Sequence, residues 1–115
     1  AHIAALLGAH IIKVKLSTDH LSQPEAKKAF HAGHIAVATQ ADRVRECVRS
    51  ALNGRRLIVF SGGAAKGADS VLDDARAIRD GGGNGSIIGR NCFQRPRAEA
   101  LALLQNLVDI YKGKA

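Results

Sequence analysis

"GAHIIKVKLSTDH", Gly8 to His20, decides how the chain is read, because it sets Lys13 and Lys15 into an otherwise apolar run of isoleucine and valine. In an extended strand, residues two apart share a face. Lys13 and Lys15 then project together, while Ile12 and Val14 turn the other way to pack beneath helices. Two like charges in a partly desolvated interior disfavour each other's protonation, and a neutral amine is the form that attacks a carbonyl carbon. The alternative is a strand end whose lysines extend their ammonium groups to solvent. The segment alone leaves both readings open.

Further along, "RRLIVFSGG", Arg55 to Gly63, has an unbroken apolar core from Leu57 to Phe60. Without the alternation of a strand that has one wet face, it reads as a parallel strand covered on both sides. "GSIIG", Gly85 to Gly89, is a third, shorter strand. The three strands are expected over about residues 9–15, 56–60 and 85–89.

Between them lie helical stripes. Val44, Cys47, Val48, Ala51 and Leu52 define one face of a helix over about residues 40–53, with Arg43, Arg45 and Arg49 facing mostly outward. Thr39 is its expected N-cap, with Asp42 three residues on, and Gly54 sits where a left-handed residue ends a helix. Val71, Leu72, Ala75 and Ile78 define a second helix, starting after Asp69 or Ser70 and ending at Gly81 to Gly83. Pro96 opens the last, whose buried face is Ala98, Leu101, Leu104, Leu107, Val108 and Tyr111. "AHIAALLGAH" reads as the last turns of a helix begun upstream. The long connection from Leu16 to Ala38 holds a short helix after Pro24.

Strands alternating with helices require an α/β fold with a parallel sheet and right-handed crossovers. The 115 residues suffice for one small unit. Three strands, however, leave two open edges and one under-covered face. The chain therefore reads as the end of a larger domain.

Composition narrows the function. With 46% hydrophobic and 23% charged residues the chain is that of an ordinary globular protein, and no apolar run is long enough for a membrane span. The net charge of +7 attracts anions. Nucleic acid is disfavoured, because Phe30, Phe60, Phe93 and Tyr111 are scattered and the arginines form no run. A phosphorylated small molecule is the better anion. Cys47 and Cys92 read as packing residues in a reducing, cytoplasmic setting. His20, His31 and His34 read as a solvated loop with no metal, since no acidic or cysteine ligand accompanies "HAGH" at a zinc spacing. No cofactor is expected.

"VFSGGAAKG" places Ser61, Gly62 and Gly63 directly after a strand, where adjacent glycines let backbone N–H groups approach a phosphate. It is not a Walker A loop, lacking Gly-Lys-Ser/Thr at the required spacing. "SIIGRNCF" repeats the device with Gly89, followed by Arg90, whose guanidinium forks onto phosphate oxygens. Two consecutive strands ending in glycine match the phosphate site of a (βα)8 barrel.

With "GAHIIKVK", "FSGG" and "IIGRNCFQR" in this order, the sequence resembles the class I fructose-bisphosphate aldolases of the archaeal and bacterial DhnA/FbaB type, over essentially its whole length. The resemblance implies the C-terminal portion of a (βα)8 TIM barrel, strands 6 to 8 with their helices, as a single partial unit over residues 1–115. It implies that Lys13 forms a Schiff base with a ketose phosphate, that Lys15 is its electrostatic neighbour, and that Ser61, Gly62, Gly63, Gly89 and Arg90 hold the substrate phosphate. The family's tyrosine general acid/base and its acidic residue near strand 1 belong to earlier strands, and Tyr111 is not their counterpart. The expected activity is cleavage of fructose 1,6-bisphosphate to dihydroxyacetone phosphate and glyceraldehyde 3-phosphate. The expected partners are a sugar phosphate and either a second copy of the chain or the N-terminal half of the barrel. A non-enzymatic phosphate-binding or self-assembling module is the competing reading.

Overall fold

Alternating burial along β1 (Ile11–Lys15) orients everything else: Ile12 is buried and Val14 half-buried, while Ile11, Lys13 and Lys15 are exposed. The computed structural model describes residues 1–115, with β1 preceded by α1 (His2–Leu6) and followed by α2 (Pro24–Ala32), α3 (Gln40–Ser50), β2 (Leu57–Ser61), α4 (Ala68–Asp80), β3 (Gly85–Ile87), α5 (Arg90–Phe93) and α6 (Arg97–Tyr111). The strands form one parallel sheet in the order β1-β2-β3. All three expected strands and the parallel α/β class are present.

One face of the sheet is packed. Ile12, Ile58 and Phe60 meet Ala5 of α1, Val44 of α3, Ala51 at the end of α3, and Ile78 of α4 in a buried cluster. Removing each large apolar side chain from water stabilises the fold by about 1.5–3 kcal/mol. A second cluster, Val71 and Ala75 of α4 with Leu103, Leu107 and Ile110 of α6, seals the outer layer, and Tyr111 packs against both clusters.

The other face is bare. Ile11 is 63% exposed, and Leu57 and Ile87 are each 48% exposed. Within these 115 residues β2 is thus covered on one side only, where the sequence reading expects cover on both. Its burial alternates, with Ile58 and Phe60 buried and Leu57 exposed, because every helix that packs on β2 lies on one side.

Local chemistry sets the helix ends. The Thr39 hydroxyl accepts from the Asp42 amide at 3.1 Å, and the Asp42 carboxylate accepts from the Thr39 amide at 3.2 Å, completing the expected capping box. α3 stops at Ser50, short of the expected residue 53, because Leu52, Asn53 and Gly54 all take positive φ (56°, 56° and 82°) and a right-handed helix cannot continue through them. Gly81 ends α4 where the two helices touch. A Cβ there would lie 2.6 Å from both the Ala41 carbonyl oxygen and Val44 Cβ.

The long connection is held down by Arg43. Its guanidinium donates to the carbonyls of Ser17 (3.1 Å), Val37 (2.8 Å) and Ala38 (3.0 Å). Arg43 was expected to face mostly outward; it instead satisfies loop carbonyls that no helix or strand could pair. The connection contains the short helix expected after Pro24, and α2 buries none of its residues. No helix is long and apolar enough to cross a membrane.

Candidate active site

On the bare face, side chains stand in rows set by strand register. Lys13 lies opposite Val59, and Val59 opposite Gly85; one step toward the C-terminal ends, Lys15 lies opposite Ser61, and Ser61 opposite Ile87. Two residues of rise separate the rows by roughly 6.6 Å. Lys13 and Lys15 therefore share one face, as the period-two reading expected. Both are exposed. The expected desolvation of the pair is thus not supplied by these residues, since nothing in the chain covers this side of the sheet.

The two glycine-bearing strand ends meet. Arg90 donates from Nη2 to the Gly63 carbonyl at 3.1 Å, so the loop after β2 and the segment after β3 are joined directly. Gly63 has φ +71°, a conformation that costs a side chain about 1 kcal/mol, and the space where a Cβ would stand is open. The N–H groups of Gly62, Gly63, Ala64, Ala65 and Gly89 donate to no other group of the chain. Consecutive unpaired amides beside a free guanidinium edge form a cradle of donors suited to a phosphate. Ser61, Gly62, Gly63, Gly89 and Arg90 are thus adjacent, at the same end of the sheet as Lys15.

Three neighbours escaped the sequence reading. Asn91 is only 4% exposed and bridges to the loop after β2, its Oδ1 accepting from the Lys66 amide at 2.8 Å and its Nδ2 donating to the Ala64 carbonyl at 3.2 Å. Arg95 donates to the carbonyls of Asn91 and Lys66, each at 2.6 Å. Lys66 itself forms an ion pair with Asp74 of α4. The only hint in the sequence was an amide residue directly after Gly89 and Arg90; its burial depends on a loop 25 residues away.

The remaining polar candidates lie elsewhere. Tyr111 hydrogen-bonds Ser86, which lies opposite Phe60 in register and so shares the helix-packed face, opposite to Lys13. Burial raises its phenol above the usual 10.0, and the Ser86 bond partly offsets this. Cys47 and Cys92 are not bonded to each other, and burial raises the Cys47 thiol. No three His, Cys, Asp or Glu side chains converge, and His20, His31 and His34 are all exposed or partly so. A cleft of about 310 Å³ between the connection and α3, lined by His20, Phe30, Arg43 and Cys47 among others, contains none of the predicted site residues.

The profile of a family described as "DeoC/LacD family aldolase" matches residues 1–95. A Chlamydia muridarum (strain MoPn / Nigg) protein named "Probable fructose-bisphosphate aldolase class 1" is 31% identical over 117 residues, covering 96% of this chain and 34% of that protein. A Chlamydia pneumoniae protein of the same name is 32% identical over 121 residues, covering 96% of this chain and 33% of its own length. The chain thus spans about a third of the length of the curated relatives it matches. No solved structure gives a significant match. The profile match over most of the chain, together with relatives aligned nearly end to end with it, means that the chain belongs to the DeoC/LacD family of aldolases.

Proposed function

We propose that this chain is the C-terminal part of a class I fructose-bisphosphate aldolase, with β1, β2 and β3 as strands 6, 7 and 8 of a (βα)8 barrel and residues 1–115 as one partial unit of it. The observation that carries the reading is the bare sheet face. It presents Lys13 and Lys15 on one strand and the donor cradle of Gly62, Gly63, Gly89 and Arg90 at the C-terminal ends of the next two. In a closed barrel that face is the lumen, and its C-terminal end is where barrel enzymes keep their chemistry. The names of the chlamydial relatives support fructose 1,6-bisphosphate as the substrate.

In this reading the cradle holds a substrate phosphate and so fixes the distance from it to the ketone. The Lys13 amine adds to the C2 carbonyl, and loss of water gives an iminium. Cleavage of the C3–C4 bond sends its electron pair into that iminium. The C4 hydroxyl loses its proton to a base, which releases glyceraldehyde 3-phosphate. Protonation of the enamine at C3 and hydrolysis then free dihydroxyacetone phosphate and the amine. The proton-transfer group comes from outside these residues, because Tyr111 is committed to Ser86 on the far face.

Ile11, Leu57 and Ile87 favour a covering partner, either the N-terminal half of the barrel or a second copy of the chain. The same three residues favour the second reading, a self-assembling phosphate-binding module without catalysis. Unpaired Cys47 and Cys92 support a reducing, cytoplasmic setting. Incubation with dihydroxyacetone phosphate and borohydride separates the two. Reduced adduct on Lys13, lost in Lys13→Ala, supports the aldolase; absence of any adduct on Lys13 leaves the binding module.

A further inference from the structure

The cleft of about 310 Å³ beside α3 takes no part in the scheme above, and its lining has a direction. Arg43, Glu46, Cys47 and Ser50 of α3 line it, spaced three and four apart, so they form one stripe along the helix. The stripe is about two turns long, roughly 10 Å. The rest of the lining comes from the connection, chiefly Asp19, Leu21 and Phe30.

α1 meets this stripe at one end. The His2 imidazole donates to the Ser50 carbonyl at 2.7 Å, and Ala5 joins Val44 and Ala51 in the buried cluster. One turn back along α3, burial raises the Cys47 thiol, and the Ala1 ammonium, close enough to act on it, offsets part of this. Going backward from His2 to Ala1 thus goes backward along α3 from Ser50 to Cys47. The two helices run side by side in the same direction, as crossover helices of a parallel sheet do.

α1 carries no start signal. It has five residues, no side-chain cap and no acidic residue in its first turn, whereas Ser, Thr, Asp or Asn ordinarily caps a helix start. Its axis, continued backward by about two turns, passes Cys47 and then Glu46 and Arg43, which is the length of the cleft.

We infer that the cleft is the seat of a helical segment directly preceding Ala1, so that α1 is the last part of a longer helix lying along Arg43, Glu46, Cys47 and Ser50. The inference rests on the reading of this chain as the later part of a longer aldolase, and it assigns the cleft to the protein's own chain instead of a small ligand. The chemistry of the occupant follows from the walls: apolar residues at three- and four-residue spacing against Cys47, Leu21 and Phe30, with a basic side chain toward the carboxylates of Asp19 and Glu46.

The test adds about two turns of helix, built of alanine and lysine, ahead of Ala1 in the Cys92→Ser chain. One form carries leucines on the face that continues His2 and Ala5; the other carries them on the opposite face. Alkylation of Cys47 by iodoacetamide, read by intact mass, should slow about ten-fold or more in the first form relative to the unextended chain, because the thiol is reached only when the helix lifts. The second form should react like the unextended chain. Equal rates in the two extended forms overturn the inference. Should Cys47 react too slowly to compare, thermal melts decide: a higher melting temperature in the first form, abolished when Cys47→Phe fills the cleft, supports the inference, and equal melting temperatures of the two forms overturn it. Borohydride trapping on Lys13 without protection of Cys47 overturns the inference alone, and protection supports it whether or not Lys13 is trapped.

Discussion

Lys15 and Ser61 stand opposite each other in parallel register at the C-terminal ends of β1 and β2, which puts the lysine-bearing strand directly beside the start of the glycine loop. Lys13 lies one row deeper, opposite Val59. Depth separates the two amines: Lys15 is level with the start of the loop after β2, and Lys13 is set back from that loop by one row.

Lys13→Ala is expected to abolish borohydride-trapped adduct, while Lys15→Ala retains adduct on Lys13. Because both side chains are exposed, each variant should keep its stability within about 0.5 kcal/mol of wild type. Intact-mass spectrometry and urea unfolding check the two halves of this statement.

Arg90→Ala removes the charged fork that joins Gly63 to the segment after β3. A charged hydrogen bond contributes about 1.5–3 kcal/mol, so the affinity for dihydroxyacetone phosphate should fall by roughly ten-fold or more. Unchanged binding in a calorimetric titration would remove Arg90 from the site.

Gly81→Ala forces a methyl group into the Ala41 carbonyl and the Val44 side chain at the α3–α4 contact. Both neighbours are held, one as helix backbone and the other at 1% exposure, so neither can give way cheaply. The expected loss is about 1–3 kcal/mol or more, against about 1 kcal/mol for Gly63→Ala, where only backbone strain is added. Thermal melts of the two variants should rank in that order.

Thr39→Ala should cost about 1 kcal/mol at neutral pH through loss of the N-cap. The bonds from Thr39, with a smaller contribution from Arg45, hold the Asp42 carboxyl below its usual 3.8. A depressed folded-state value means the linked stability is present above 3.8 and is lost as pH falls through the folded value. The gap between wild type and Thr39→Ala in denaturant midpoint should therefore narrow below about pH 4, modestly, since the carboxylate lies at a helix end in reach of solvent and its charge is screened.

Tyr111→Phe leaves the Ser86 hydroxyl without its partner and should destabilise the chain by about 1 kcal/mol. The wild-type phenol is raised above 10.0 by burial, so its contribution is complete below pH 10 and disappears as pH rises through the folded value. Wild type should lose stability above pH 10 in a way that Tyr111→Phe does not. Lying on the helix-packed face, the substitution should leave trapping on Lys13 unaffected.

The elements were legible wherever one local rule dominated. Thr39 and Asp42 announced the start of α3, the stripe Val71, Ala75 and Ile78 announced α4, and the spacing of Lys13 and Lys15 announced their common face. Boundaries slipped where local rules conflicted with backbone geometry, as at Leu52 and Asn53.

The sequence by itself determined the alternation of strands and helices, the pairing of two lysines on one face, and two glycine-bearing strand ends, because strand period, helix period and glycine's backbone freedom all act within a few residues. Only the tertiary structure decided that β2 is covered on one side alone, that Arg43 secures the long connection, and that Asn91 and Arg90 shape the loop at Ser61 to Lys66. Each of these depends on which backbone groups lack partners once distant segments are brought together, and that is set by packing in three dimensions, beyond the reach of any short window of sequence.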